Sequence, residues 1–277
     1  MSSRNRIETD VAEIYRAAFA DSAGEVVVTV PSAEAVERLV WVLDDFDDPP
    51  SVRLLAHDGV LKTAMGDFIV ASTAADLIEA EMLSMRTTDG SGMTPLIVGE
   101  ARVVSVVTAG GRVAGLVTDD DEFVESARKK YDSAWDESES YHLRTPPLSR
   151  VRETMDEAFG PDMLGDFDDV LASLDTARGD DGGLDEVTIS LLVAAKNEEL
   201  LYDISKWGED TGVASKATFS RTKTQLEEMG LIDTTKVPID VGRPRLRLLL
   251  GDDRLTDADA DELAAVAGSL LSAGNAA

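Results

Sequence analysis

Six basic side chains stand out by where they fall. Thr211–Lys223 contains Lys216, Arg221 and Lys223 and no acid, and Val241–Leu250 contains Arg243, Arg245 and Arg247 and no acid. The chain around them is strongly acidic, with 26 Lys+Arg against 54 Asp+Glu and a net charge of −28. Residues 185–250 hold 9 bases and 11 acids, a net of −2, which leaves −26 on the other 211 residues. Two all-basic windows in such a chain suit contact with a polyanion. A guanidinium forks onto a guanine edge, and an ammonium makes a point contact with phosphate. The bland alternative is chance clustering on a solvated face.

The elements that must position these groups can be read from spacing. Ser215 is an N-cap for a helix whose apolar stripe is Phe219, Thr222, Leu226 and Met229, and Gly230 ends it. The opposite side of that helix presents Ala217, Ser220, Arg221 and Thr224, with Lys216 and Lys223 along one edge. Arg221 suits a base edge, Ala217 a thymine methyl, Ser220 and Thr224 bases or phosphates, and Lys216 and Lys223 phosphates. Leu231-Ile232 starts a strand and Leu246, Leu248 and Leu250 alternate as its return partner. Between them lies Gly242-Arg243-Pro244-Arg245, whose arginines suit a minor groove. Thr218-Phe219-Ser220-Arg221, the close Leu226-Glu227-Glu228-Met229-Gly230-Leu231-Ile232 and the Gly-Arg-Pro tip together resemble a winged helix-turn-helix. That resemblance implies a recognition helix beginning at Ser215 and a wing carrying Arg243 and Arg245.

Composition bounds the rest. At 277 residues there is room for two domains, each with its own core. The N-terminus lacks the apolar run of a signal peptide, and no apolar stretch reaches the ~18 residues a membrane span needs. Cysteine is absent, which excludes disulfides and thiolate metal sites. His57 and His142 do not make a metal centre, so neither metal nor cofactor is expected, and the location implied is cytoplasmic. The excess of Asp with few Lys matches a protein adapted to molar salt, where the Debye length falls to about 3 Å.

Along the chain, apolar periodicity predicts a helix over 4–20, a buried strand at Val26–Val28 and a helix after Ser32. A second strand follows at 52–56, then a short helix after Asp58-Gly59, a third strand at Phe68–Val70 and a helix capped by Ser72. Strands near 96–98, 103–108 and 113–118, the last two around Gly110-Gly111, form an antiparallel edge. A helix over 122–135 closes the domain. This is an α/β unit with a mixed sheet, placed at 1–140. A helical linker and hinge take 141–184, with Gly179-Asp180-Asp181-Gly182-Gly183 as the hinge. The winged helix and a final helix take 185–277.

No phosphate-cradling glycine loop, nucleophile elbow or paired His–nucleophile is present, so no enzyme is expected. Asp119-Asp120-Asp121 reads as a solvated sheet edge before it reads as a cation site. Ser32, His57, Asp58 and Ser72 lie at helix starts or at the C-terminal end of a strand. Open α/β sheets bind ligands there, although plain capping explains the serines equally well.

The α/β domain, the stretch Thr118-Asp119-Asp120-Asp121-Glu122-Phe123-Val124 leading to Tyr131 and Trp135, and the C-terminal winged helix together resemble the haloarchaeal TbsP-type transcription regulators. The resemblance implies a regulator of central carbon metabolism genes whose N-terminal domain is similar to the effector domains of TrmB-like sugar sensors. The expected partners are double-stranded DNA, a second copy in a homodimer and a small-molecule effector, with no membrane. The rival reading is a protein-interaction scaffold of the transcription machinery that does not bind DNA.

Overall fold

The computed structural model describes residues 5–22, 24–89, 94–176, 184–238 and 244–274. The chain divides into two compact units, Met1–Pro147 and Leu148–Ala277.

The first unit runs β1 (Arg6–Glu8), α1 (Val11–Ala20), β2 (Glu25–Thr29), α2 (Ala33–Asp44), β3 (Ser51–His57), α3 (Asp58–Ala64), α4 (Phe68–Glu79), β4 (Leu83–Thr88), β5 (Leu96–Val98), β6 (Val103–Ala109), β7 (Arg112–Thr118), α5 (Asp121–Glu137) and β8 (Glu139–Ser140). Among the described residues these strands form one sheet in the order β1-β7-β6-β5-β2-β3-β4-β8. β2, β3 and β4 pair in parallel, and the other pairings are antiparallel, so the sheet is mixed as the sequence implies.

Alternation along the strands builds two cores. Val26, Val28, Val52, Leu54 and Ala56 pack with α1, α2, α3 and α4. Val27 and Leu55 turn the other way, onto Val124, Tyr131 and Trp135 of α5. Two guanidiniums contact the Trp135 ring, Arg53 at 5.5 Å and Arg86 at 4.8 Å from its centroid. Arg53 is also paired with Glu25 and Asp132 at 2.7 and 2.6 Å. On the β1-β7-β6 side, the face that carries Val103 also carries Ile7, Val107 and Leu116, which are 56%, 44% and 46% exposed.

Three aspartates of this unit serve helix starts. Asp10, Asp67 and Asp120 each accept a backbone N–H at the first turn of α1, α4 and α5, where a carboxylate also complements the helix dipole. These caps explain two departures from the periodicity reading. The first helix begins at Val11, because Asp10 caps it and Ile7 is drawn into β1 opposite Ala114. Phe68-Ile69-Val70 is the first turn of α4, started by Asp67, and the third parallel strand is Leu83–Thr88. A short apolar run fits either element until its cap is identified.

The second unit comprises α6 (Leu148–Phe159), α7 (Pro161–Thr176), α8 (Glu186–Lys196), α9 (Leu201–Thr211), α10 (Lys216–Glu228), β9 (Ile232–Val237), β10 (Arg245–Leu250), α11 (Asp253–Thr256) and α12 (Ala260–Gly274). β9 and β10 form an antiparallel hairpin from Ile232↔Leu250 to Val237↔Arg245. Leu200 bridges Arg247, and the Leu248 N–H donates to the Glu199 carbonyl at 2.9 Å, which ties the start of α9 to β10. Leu191, Ile204, Phe219 and Leu248 are fully buried where α8, α9, α10 and the hairpin meet.

Of the expected linker 141–184, the described residues up to Pro147 fall in the first unit and those from Leu148 in the second. Tyr141 donates its N–H to the Met85 carbonyl and Pro146 accepts from Ser72, so this part completes the sheet unit. α6 packs on α9 within the second unit. There Trp207 donates to Thr154 at 3.0 Å, and its ring meets Phe159 edge-on at 6.3 Å. The expected hinge at 179–183 lies outside the described residues.

Candidate nucleic-acid interface

The site is built where α9 crosses α10. Gly212, at φ +94°, takes the left-handed conformation that ends α9. The Ser215 hydroxyl then accepts from the Thr218 N–H at 3.2 Å and starts α10, as the spacing predicts. The two helices cross at Gly208. A Cβ placed there would stand 2.2 Å from Cε2 of Phe219, whose ring is fully buried. Glycine at 208 therefore sets how closely the helices approach. At the far end Gly230 has φ +75°, and the Leu231 N–H reaches the Leu226 carbonyl at 2.9 Å, a Schellman closure leading into β9.

With Phe219 and Leu226 inward, α10 exposes Ala217, Ser220, Arg221 and Thr224. Thr224 spends its hydroxyl proton on the Ser220 carbonyl at 3.0 Å, leaving lone pairs outward. Lys223 does not lie on the exposed edge. It is 8% exposed, and its Nζ pairs with Glu227 at 2.8 Å. Glu227 also accepts from Thr234 of β9 at 2.9 Å. These two bonds, Lys223 first, hold the Glu227 carboxyl below its usual range. Lys223 thus backs the Glu227 carboxylate that ties α10 to the hairpin. The buried side of α10 is rotated accordingly: Thr222 is half-buried and Met229 is exposed.

Three further cations near the helix and hairpin are paired with carboxylates from α9 and the turn before it. Lys216 Nζ meets Glu209 at 2.6 Å, Arg245 meets Asp203 at 3.3 Å, and Arg247 meets Glu198 at 3.4 Å. The hydrogen bond from Lys216 lowers the Glu209 pKa and raises that of Lys216. Arg245 also lies 4.2 Å over the ring of Tyr202. Arg221 is exposed and has no carboxylate partner among the described residues. Tyr202, Ser205, Lys216, Ser220, Pro244 and Arg245 line a groove of about 540 Å³. Arg243 lies outside the described residues.

Sequence reasoning did not find Tyr202, Asp203, Gly208 or Glu209. A signal existed for Tyr202 alone, an aromatic next to Leu201 and off the side of α9 that buries Ile204 and Trp207. The carboxylate pairings span 7 to 49 residues and follow no helical spacing.

The candidate ligand residues of the first unit are engaged locally. Ser32 caps α2, accepting from Ala35 at 3.3 Å. His57 ends β3, and its Nδ1 accepts from the Gly59 N–H at 3.1 Å. Asp58 pairs with Lys62 at 2.7 Å. Ser72 is not at a helix start. It is buried within α4 and donates to the Pro146 carbonyl at 2.5 Å. The Asp119–Asp121 run supplies the cap of α5 through Asp120.

Three helices with a tight turn before the third, followed by a twisted hairpin, define a winged helix-turn-helix module. The unit before it is an α/β domain with a mixed sheet. Residues 3–146 match the N-terminal domain of TbsP-like transcriptional regulators, and residues 147–268 match their C-terminal HTH domain. The chain belongs to the TbsP-like family of transcriptional regulators. None of the curated proteins matches its sequence. Among solved structures it is similar to TrmBL2, described as an archaeal chromatin protein with a novel mode of DNA binding, at 12% identity and TM-score 0.37 over 50% of this chain. It spans about half, 54%, of that chain. It is also similar to Nuc from Salmonella typhimurium, a phospholipase D family member, at 9% identity and TM-score 0.37, covering 50% of this chain and 98% of that one. NucT from Helicobacter pylori follows at 11% identity and TM-score 0.36, covering 50% and 99%. No helix among the described residues is long and apolar enough to cross a membrane.

Proposed function

We propose that this transcriptional regulator binds double-stranded DNA in a sequence-specific way, with α10 in the major groove. Arg221 reads a base edge, Ala217, Ser220 and Thr224 complete the reading face, and Ser215, Lys216 and Arg245 lie toward phosphates. Arg243 takes the minor groove beside the hairpin, and Arg245 meets the phosphates that flank it. A homodimer sets two such helices one turn of DNA apart. The resemblance to TbsP-type regulators supports central carbon metabolism genes as targets, and a small metabolite as effector of the α/β unit in the cytoplasm. The observation that carries the reading is Arg221, a guanidinium exposed on α10 opposite Phe219 and without a carboxylate partner among the described residues.

The test is iterative selection of duplexes from a random-sequence pool with the full chain. One sequence class should be enriched, and Arg221→Ala should lose about 1–3 kcal/mol of affinity for it while relaxing one base position. The pairing of Lys216, Arg245 and Arg247 with acids favours a second reading, in which this face docks a protein of the transcription machinery. A selection that enriches nothing would favour it.

A further inference from the structure

We propose that Glu198, Asp203 and Glu209 act as built-in competitors of DNA phosphate and thereby set how this protein's DNA binding responds to salt. The inference rests on the DNA-binding reading above. Each carboxylate stands where a phosphate oxygen would be wanted: 2.6 Å from Lys216, 3.3 Å from Arg245 and 3.4 Å from Arg247. Lys216 and Arg245 also line the groove beside Ser220 of α10. The pairs are part-exposed, with partner side chains between 37% and 61% accessible. A phosphate can therefore exchange for the carboxylate without unfolding anything. Arg221 has no such competitor among the described residues, so base reading is spared the exchange.

The exchange changes the ion balance. A free lysine or arginine that meets a phosphate releases a condensed counterion, and each such contact contributes about −0.9 to the slope of log K against log salt. Here the cation leaves a carboxylate behind, facing DNA. That carboxylate takes up a cation from solution or repels the backbone. Cation uptake opposes counterion release, and salt weakens the competing pair as well as the contact with DNA. Binding should then lose little affinity as salt rises.

The decisive comparison is the full chain against Asp203→Asn/Glu209→Gln. Both bind a fluorescent random-sequence 30-base-pair duplex, titrated from 0.2 to 2 M KCl. A control, Glu153→Gln/Glu157→Gln, removes two charges from the exposed face of α6. The Asp203→Asn/Glu209→Gln variant should bind about tenfold tighter at 0.2 M, since an exposed pair is worth up to about fivefold. Its slope should be more negative by roughly 1 to 2, with affinities converging at high salt. The control should keep the wild-type slope. If the variant binds with wild-type affinity and slope, or both variants steepen alike, the carboxylates are only part of the general surface charge and the proposal falls. Weaker binding by the variant would make Asp203 and Glu209 positioning residues for Arg245 and Lys216, which also overturns it. A wild-type chain that retains no duplex at any salt would defeat the DNA-binding reading itself.

Discussion

Gly208→Ala tests the crossing of α9 and α10. The added Cβ would lie 2.2 Å from Cε2 and 2.4 Å from Cζ of Phe219, against about 3.5–4.0 Å for carbon atoms in contact. The ring must therefore retreat by more than about 1 Å, yet it is fully buried. Overpacking of this kind costs about 1–3 kcal/mol. Alanine returns up to about 1 kcal/mol of helix propensity. With approaches this short the overpacking lies at the upper end of that range, so the net loss should be about 2 kcal/mol, a fall in Tm of roughly 5–10 °C for a unit of this size. Calorimetry of the full chain measures the fall, and hydrogen exchange should place the loosened amides in α9 and α10. Gly165→Ala on α7 is the control, because that glycine is exposed and a Cβ there meets nothing within 4 Å. It should gain up to about 1 kcal/mol. Phe219→Leu should partly rescue Gly208→Ala, so that the double mutant costs less than the sum of the singles. A Gly208→Ala protein that melts at or above the wild type, like the control, would refute the close crossing.

Lys223→Met should leave affinity for both selected and random duplexes within twofold, because Lys223 faces Glu227; a uniform severalfold loss in a binding titration would return it to the phosphate contacts. Ser72→Ala leaves the buried Pro146 carbonyl without its donor and should cost about 1–3 kcal/mol, read by urea unfolding of the full chain. Asp252 caps α11, and its hydrogen bonds with Arg254 lower its pKa to about 2. A depressed carboxylate stabilises the fold above its unfolded pKa near 3.8, and the contribution is lost as pH falls from there through 2. Asp252→Asn should therefore reduce the dependence of Tm on pH between 4 and 2 and leave other pH ranges unaltered.

The parts of this molecule legible in its sequence are those governed by near neighbours. Ser215 and Gly230 bound α10 because a cap and a left-handed closure are local devices, and the strands at Val26–Val28 and Val52–Ala56 follow from short, mainly apolar runs. The reading failed where the deciding partner lies far along the chain. Phe219, Lys223 and Leu226 form the buried side of α10, and a lysine joins that side because Glu227 is anchored by Thr234 of β9. Ser72 reads as a cap among small residues, but its acceptor is 74 residues away. Glu209, Asp203 and Glu198 look like more of the general acidity until their cations are seen beside them. The candidate site was thus located by its basic windows, while the acids that neutralise much of it were invisible.

The hydroxyl of Ser72 also determines where this polypeptide tolerates being severed. A fragment stopped at residue 140 would remove the Tyr141 amide from Met85 and the Pro146 carbonyl from Ser72. A donor without any solvent access would be stranded inside α4. A cut after Pro147 spares both bonds and meets the first residue of α6 on the other side. The seven residues after Ser140 thus belong to the sheet unit as a splint, and an excised half should keep its shape only if it carries them.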